Sequence, residues 1–295
     1  MPAWLVALRP QQWPKNALVG AAFVFSAGSA WDGDDAGSWW PLLWRTAALF
    51  VAWGAVSSAT YLVNDVLDRE RDREHPRKRR RPIPAGALGV RPALVMAALL
   101  AAGGIAGATA LEWRSGAVTG GYFAGMLAYS LALKQVPIVD VLFLTAGVVG
   151  RAASGALTID VDISPWLYVC SGFGAFFLAT SKRWAEFREL GEDAAAHRPS
   201  LAGYSDILLN QMLMISAATA LLSYGVYSVE SANVPTNGAM ALTIPFVAVG
   251  MFRYLLLLDG QRRGDAPDQI LFTDPGIVAC VAGFVVTAAA VLLAT

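Results

Sequence analysis

The 295-residue sequence predicts an all-α membrane protein of about nine transmembrane helices. Three observations carry this. The chain is 56% hydrophobic and only 15% charged, a balance that separates it from soluble domains of its size. Its apolar residues fall into runs long enough to cross a bilayer, about 20 residues each. Its Lys and Arg residues gather in alternate loops, although the net charge is zero.

The opening stretch "MPAWLVALRPQQWPKN" lacks the charged start and long apolar core of a cleaved signal. It reads as a short surface or re-entrant segment. The spans then follow at 16–31, 42–63, 92–111, 116–133, 137–157, 164–181, 207–229, 238–258 and 275–294, the first of them short. Gly and Pro within them are tolerated by membrane helices. Trp39, Trp40, Trp44, Trp113 and Trp166 near span ends read as interfacial anchors. Cys170 and Cys280 lie in apolar runs and read as small core hydrophobes.

Loop charge sets the orientation. Arg9 and Lys15 precede the first span. Arg69, Arg71, Arg73, Arg77, Lys78, Arg79, Arg80, Arg81 and Arg91 follow the second, Lys134 the fourth, Lys182, Arg183, Arg188 and Arg198 the sixth, and Arg262 and Arg263 the eighth. The opposite loops hold mainly Arg45 and Arg114, with Asp32, Asp34, Asp35, Glu112, Asp160, Asp162 and Glu230. Nine spans with a cytoplasmic N-terminus place every basic loop inside, at a cell membrane. Residues 1–295 form a single transmembrane domain with cytoplasmic loops at 64–91 and 182–206, spaced as in a duplicated half. Nothing in it points to nucleic acid; membrane lipids surround it, and self-association is left open.

The stretch "YLVNDVLDRERDREHPRKRRRPIPAG" ends the second span with both charge signs. On a helix, Asn64, Asp65, Asp68 and Asp72 fall within about a 100° arc. Oxygen ligands so arranged suit Mg²⁺ shared with a diphosphate. The plainer alternative is an acidic helix end paired to nearby arginines. After the sixth span, Lys182, Arg183 and Glu186 repeat the offsets of Asn64, Asp65 and Asp68. The two helix ends are expected to face a shared cavity, with the basic one recognising phosphate or serving only as flanking charge. Arg151, within a span and amid small residues, is expected to pair with an acid or to touch a phosphate. The run at 77–81 is read as a phosphate lid combined with attraction to anionic lipid. His75 and His197 are too isolated for a metal site.

"NDVLDRERD" closing the second span, with Tyr129, Ser130 and Lys134 of "YSLALK" after the fourth, resembles the UbiA superfamily of intramembrane prenyltransferases over almost the whole chain. The resemblance implies a helical bundle around a central cavity open to the cytoplasm, Mg²⁺ dependence and a polyprenyl substrate. Typical members carry a second aspartate-rich motif after the sixth span. Here Lys182 stands in place of its first acid and Glu186 in place of the next. This version, with "LRPQQWPKNALV", resembles the phosphoribosyltransferase subfamily that acts on decaprenyl phosphate and leads to cell-wall arabinan.

The resemblance implies roles. Asp65, Asp68 and Asp72 are catalytic and, with Asn64, hold Mg²⁺ on the diphosphate of phosphoribosyl diphosphate. Lys182, Arg183, Glu186, Arg77 and Lys78 bind that donor. Lys15, Lys134 and Tyr129 bind the phosphate of the decaprenyl or other polyprenyl acceptor, and Arg9 is a further candidate. A UbiA-type aromatic prenyltransferase using prenyl diphosphate, in quinone or haem synthesis, is the same-fold alternative. An ion-coupled transporter is disfavoured because the acids cluster at one face and not at the midplane.

Overall fold

A carboxylate starts the first long helix: Asp35 accepts the Gly37 amide at 2.9 Å. That helix belongs to a computed structural model describing residues 2–76, 78–191, 199–231, 234–260, 270 and 273–293. Arg77, His197, Arg198, Arg262 and Arg263 lie outside the described residues. The described residues are all-α: helices joined by turns, with one isolated bridge between Ala27 and Trp31.

In chain order the α-helices are α1 (Ala3–Ala7), α2 (Ala21–Phe25), α3 (Ala36–Leu67), α4 (Arg69–Glu74), α5 (Val90–Leu111), α6 (Trp113–Leu131), α7 (Val139–Ile159), α8 (Pro165–Leu190), α9 (Asp206–Glu230), α10 (Ile244–Gly260) and α11 (Pro275–Leu293). Among the described residues, six helical stretches are long and apolar enough to cross a membrane: α3, α5, α7, α9, Ala239–Gly260 and Pro275–Leu292. The α6 and α8 helices, of 19 and 26 residues, also have the length for one crossing but are more polar.

The first expected span is corrected. Residues 16–31 do not form a transmembrane α-helix. Pro10–Gly20 is a 3₁₀ helix, and α2 adds only five residues. Pro14 inside this stretch removes an amide donor, and Pro10 opens it. The segment packs on α3 instead. Trp13 donates its indole N–H to Ser58 Oγ at 3.1 Å, and its ring lies where a side chain at Gly54 would stand, 3.2 Å from an ideal Cβ. The expected loop at 182–206 also starts late, because α8 continues to Leu190.

The chain divides into two compact units. Unit 1 comprises residues 1–25, 33–133 and 150–162. Within it α5 buries Ala93, Ala97, Ala101, Gly104 and Ala108 along one stripe, facing Ala52, Val56 and Ala59 of α3. Small side chains at this spacing let two membrane helices approach closely. Trp53 is fully buried and donates to Ser154 at 3.1 Å. Arg151 was expected to find an acid or a phosphate. It donates to Asn16 at 2.7 Å, Ser57 at 3.3 Å and Tyr122 at 3.2 Å, and stacks at 4.9 Å on the Trp53 and Tyr122 rings.

Gly155 of α7 marks the tightest approach to backbone at a glycine of this unit. A Cβ there would lie 2.0 Å from the Val19 carbonyl oxygen, a backbone atom that cannot swing away. Gly155→Ala is therefore expected to destabilise the protein by about 1–3 kcal/mol through overpacking. Thermal unfolding of the purified variant in detergent checks this; an unchanged melting temperature refutes it.

Unit 2 comprises residues 26–32, 134–149 and 163–295. Its core gathers Phe177, Trp184, Leu209, Leu213, Tyr254 and Leu258 around α8, α9 and α10. Ser205 caps α9 by accepting the Leu208 amide at 3.1 Å. Asp274 begins α11, accepting the Ile277 amide at 2.9 Å and a bidentate pair from Arg253 at 2.5 and 2.9 Å. The Arg253 hydrogen bond holds its carboxyl down at about 2.

Candidate active site

The length of α3 places the acidic cluster. Its 32 residues rise about 48 Å, against about 30 Å of hydrocarbon, so a polar end must project. Asn64 and Asp65 occupy its last turn, Asp68 is the joint, and α4 carries Asp72. The joint keeps helical register, with the Asp68 amide donating to the Asn64 carbonyl at 2.9 Å and the Asp72 amide to the Asp68 carbonyl at 2.8 Å. The four residues therefore share one face although the helix is interrupted.

Asp65 and Asp72 are buried, at 1% and 3% exposure; Asn64 and Asp68 are half-buried. Buried carboxylates need compensation, and arginine supplies it. Arg81 NH1 donates to Asp65 Oδ1 at 3.0 Å and to Asp72 Oδ2 at 2.8 Å. Arg9 donates to Asp65 Oδ1 at 2.5 Å, and Lys78 Nζ lies 3.8 Å from Asp72 Oδ1. Glu70, on the outer side of α4, pairs with Arg73 and Arg69, and the Arg73 hydrogen bond holds its carboxyl below the usual range.

This arrangement tests whether a divalent metal fits. Two carboxylates converge on one cationic nitrogen, so the pair accommodates a positive centre between them. Mg²⁺ is commonly held by one or two carboxylates, completed by water and substrate phosphate. Asp65 and Asp72 match that pattern. Among the described residues no group of three or more acids, histidines or cysteines forms a closed protein cage.

In unit 2, α8 carries the second cluster. Lys182 is exposed on the helix. Arg183, expected at a phosphate, is instead 2% exposed and committed to protein partners. Its Nε donates to Asp140 Oδ2 at 2.7 Å and its NH1 to Glu186 Oε2 at 2.9 Å. Asp140 is fully buried and also accepts from Tyr204 OH at 2.8 Å and Ser200 Oγ at 3.2 Å. Tyr204 in turn accepts the Ile138 amide at 2.6 Å. Burial, reinforced by the Asp140 carboxylate, raises the Tyr204 phenol above its ordinary range, so it remains a donor.

Of the expected lipid-phosphate residues, Lys15 is exposed on the 3₁₀ segment and Tyr129 is buried near the end of α6, both in unit 1. Lys134 is half-buried in unit 2. The residues that sequence reasoning missed are Arg81 as the bridge between two acids, and Asp140. Arg81 was hidden in a basic run; the only signal for Asp140 was a lone acid opening an apolar span.

A model of the UbiA prenyltransferase family matches residues 19–273. The chain belongs to that family. A decaprenyl-phosphate phosphoribosyltransferase of Mycobacterium tuberculosis (strain ATCC 25618 / H37Rv) is 34% identical to it over 268 residues, covering 91% of this chain and 87% of that protein. The protein of the same name from Corynebacterium glutamicum is 34% identical over 273 residues, covering 91% and 80%. A UbiA homolog from Archaeoglobus fulgidus, solved bound to GPP and Mg²⁺, shares the fold with a TM-score of 0.73 at 18% identity, over 99% of this chain and 100% of that one.

Proposed function

We propose that this chain is a pentosyltransferase that moves the 5-phosphoribosyl group from phosphoribosyl diphosphate to decaprenyl phosphate or a similar polyprenyl phosphate. The observation that carries this is the likeness, over 91% of the chain, to relatives named for that acceptor and that transfer. Lys182 in the second cluster supports it, since the donor adds a C5 phosphate that a prenyl diphosphate lacks.

An oxygen of the lipid phosphate attacks C1 of the ribose, with inversion. The C1–O bond to diphosphate breaks, and its electron pair leaves with the diphosphate. The attacking phosphate is already anionic, so no strong general base is required. Mg²⁺, when bound, neutralises the leaving diphosphate. Asp65 and Asp72 would hold it, with Asp68 and Asn64 on the same face. Lys182 and Lys78 take donor phosphate. Arg183 acts through Asp140 and Glu186, fixing the helix that presents Lys182. Lys15, Lys134 and Tyr129 serve the lipid headgroup. We place this single catalytic domain in the cell membrane, active site inward, supplying the lipid-linked pentose of a cell-wall arabinan.

Purified protein with Mg²⁺, radiolabelled phosphoribosyl diphosphate and decaprenyl phosphate is expected to yield a labelled lipid, abolished by EDTA. No labelled lipid, alongside turnover of a prenyl diphosphate with an aromatic acceptor, overturns the proposal.

A further inference from the structure

A cavity of about 320 Å³ lies in unit 1 beside Asp65, walled by Arg9, Gln11, Gln12, Arg80 and Arg81. The roles assigned above leave most of this wall unused. Three arginines and one carboxylate line it, and Asp72 behind the wall also pairs with Arg81, so the lining remains net positive. A phosphate monoester, at about −1.5 to −2 at neutral pH, is an anion that such a lining attracts.

The wall combines fixed charge with unused donors. Arg9 has a left-handed backbone, φ 52° and ψ 58°, which a non-glycine residue adopts under strain. Its guanidinium is held by Asp65 and stacked 4.9 Å from the Tyr61 ring centroid. Arg81 is held by Asp65 and Asp72. By contrast, the Arg80 guanidinium and the side-chain amides of Gln11 and Gln12 have no partner among the described residues. Two held cations set the field, and the exposed Arg80 and Gln11 and the half-buried Gln12 line the same space with their side-chain donors unspent.

We infer that this cavity is a binding site for a phosphate monoester, with Arg80, Gln11 and Gln12 donating to its oxygens. The inference rests on the proposed reaction for the identity of the ligand. Both substrates of that reaction bear such a group, the donor on C5 and the acceptor at its lipid head.

Equilibrium binding to the full-length protein in detergent tests this without turnover. The probes are ribose 5-phosphate and farnesyl phosphate, by isothermal titration. Arg80→Ala is expected to weaken at least one of them by about tenfold, the scale of one charge-assisted hydrogen bond. Loss confined to ribose 5-phosphate assigns the sugar's phosphate, loss confined to farnesyl phosphate assigns the lipid head, and loss of both assigns a site open to either. Arg79→Glu, on the neighbouring exposed residue outside the wall, is expected to bind as wild type does. The inference is overturned if wild type binds neither probe, if Arg79→Glu matches Arg80→Ala, or if Arg80→Glu and the Gln11→Ala/Gln12→Ala double variant both stay within twofold of wild type. Because no transfer is measured, Arg80-dependent binding without labelled lipid sinks the reaction and keeps the cavity, and labelled lipid without such binding does the reverse.

Discussion

Asp65→Ala is expected to slow phosphoribosyl transfer by about 10²–10³-fold, the scale seen when one preorganised electrostatic group is removed from an active site. Asp65 is buried, accepts from Arg9 and Arg81, and is one of two carboxylates converging on the Arg81 nitrogen. Losing it removes a metal ligand and also leaves two arginines less well matched. Asp65→Asn separates these effects, because it keeps the shape and removes the charge. Initial rates across a Mg²⁺ titration, with a melting temperature for each variant, provide the check. A folded Asp65→Asn protein at near wild-type rate and Mg²⁺ response refutes the assignment.

The second large effect is on stability. Asp140→Ala is expected to destabilise the protein by about 3–5 kcal/mol, because it strands a buried guanidinium. Arg183 would keep Glu186 but lose its 2.7 Å partner, and Tyr204 and Ser200 would lose their acceptor. The pair itself carries desolvation, so replacing both members with apolar residues is milder. Asp140→Leu with Arg183→Met is expected to melt above Asp140→Ala. If Asp140→Ala melts at the wild-type temperature, the network does not hold this end of α8.

Local signals were legible in sequence and distant pairings were not. The acid face rests on offsets within nine residues, and the backbone register survives the break at Asp68, so spacing alone anticipated it. Helices α3 and α5 to α11 follow apolar runs that sequence displays directly. The stretch at 16–31 misled because its composition is apolar, while Pro10 and Pro14 turn the preceding chain into a 3₁₀ path that carries into it. Arg183 misled for another reason. Its partner Asp140 is 43 residues away, and nothing in the spacing distinguishes a guanidinium awaiting phosphate from one buried against an acid. Arg81 belongs to a run of like residues whose members differ only by what each reaches in space.

The tryptophans of α3 give that helix a further meaning. Trp40 and Trp44 are exposed near its start, where interfacial side chains settle at headgroup level. From Trp44 to Asp65 the helix rises about 31 Å, one hydrocarbon thickness. The helix is thus a ruler whose zero is the tryptophan pair and whose far mark is the carboxylate pair. A bilayer thicker by one helical turn, about 5.4 Å, draws that mark toward hydrocarbon unless the helix stands more upright. Lipid chain length is then a variable of the chemistry, to be matched before rates from different membranes are compared.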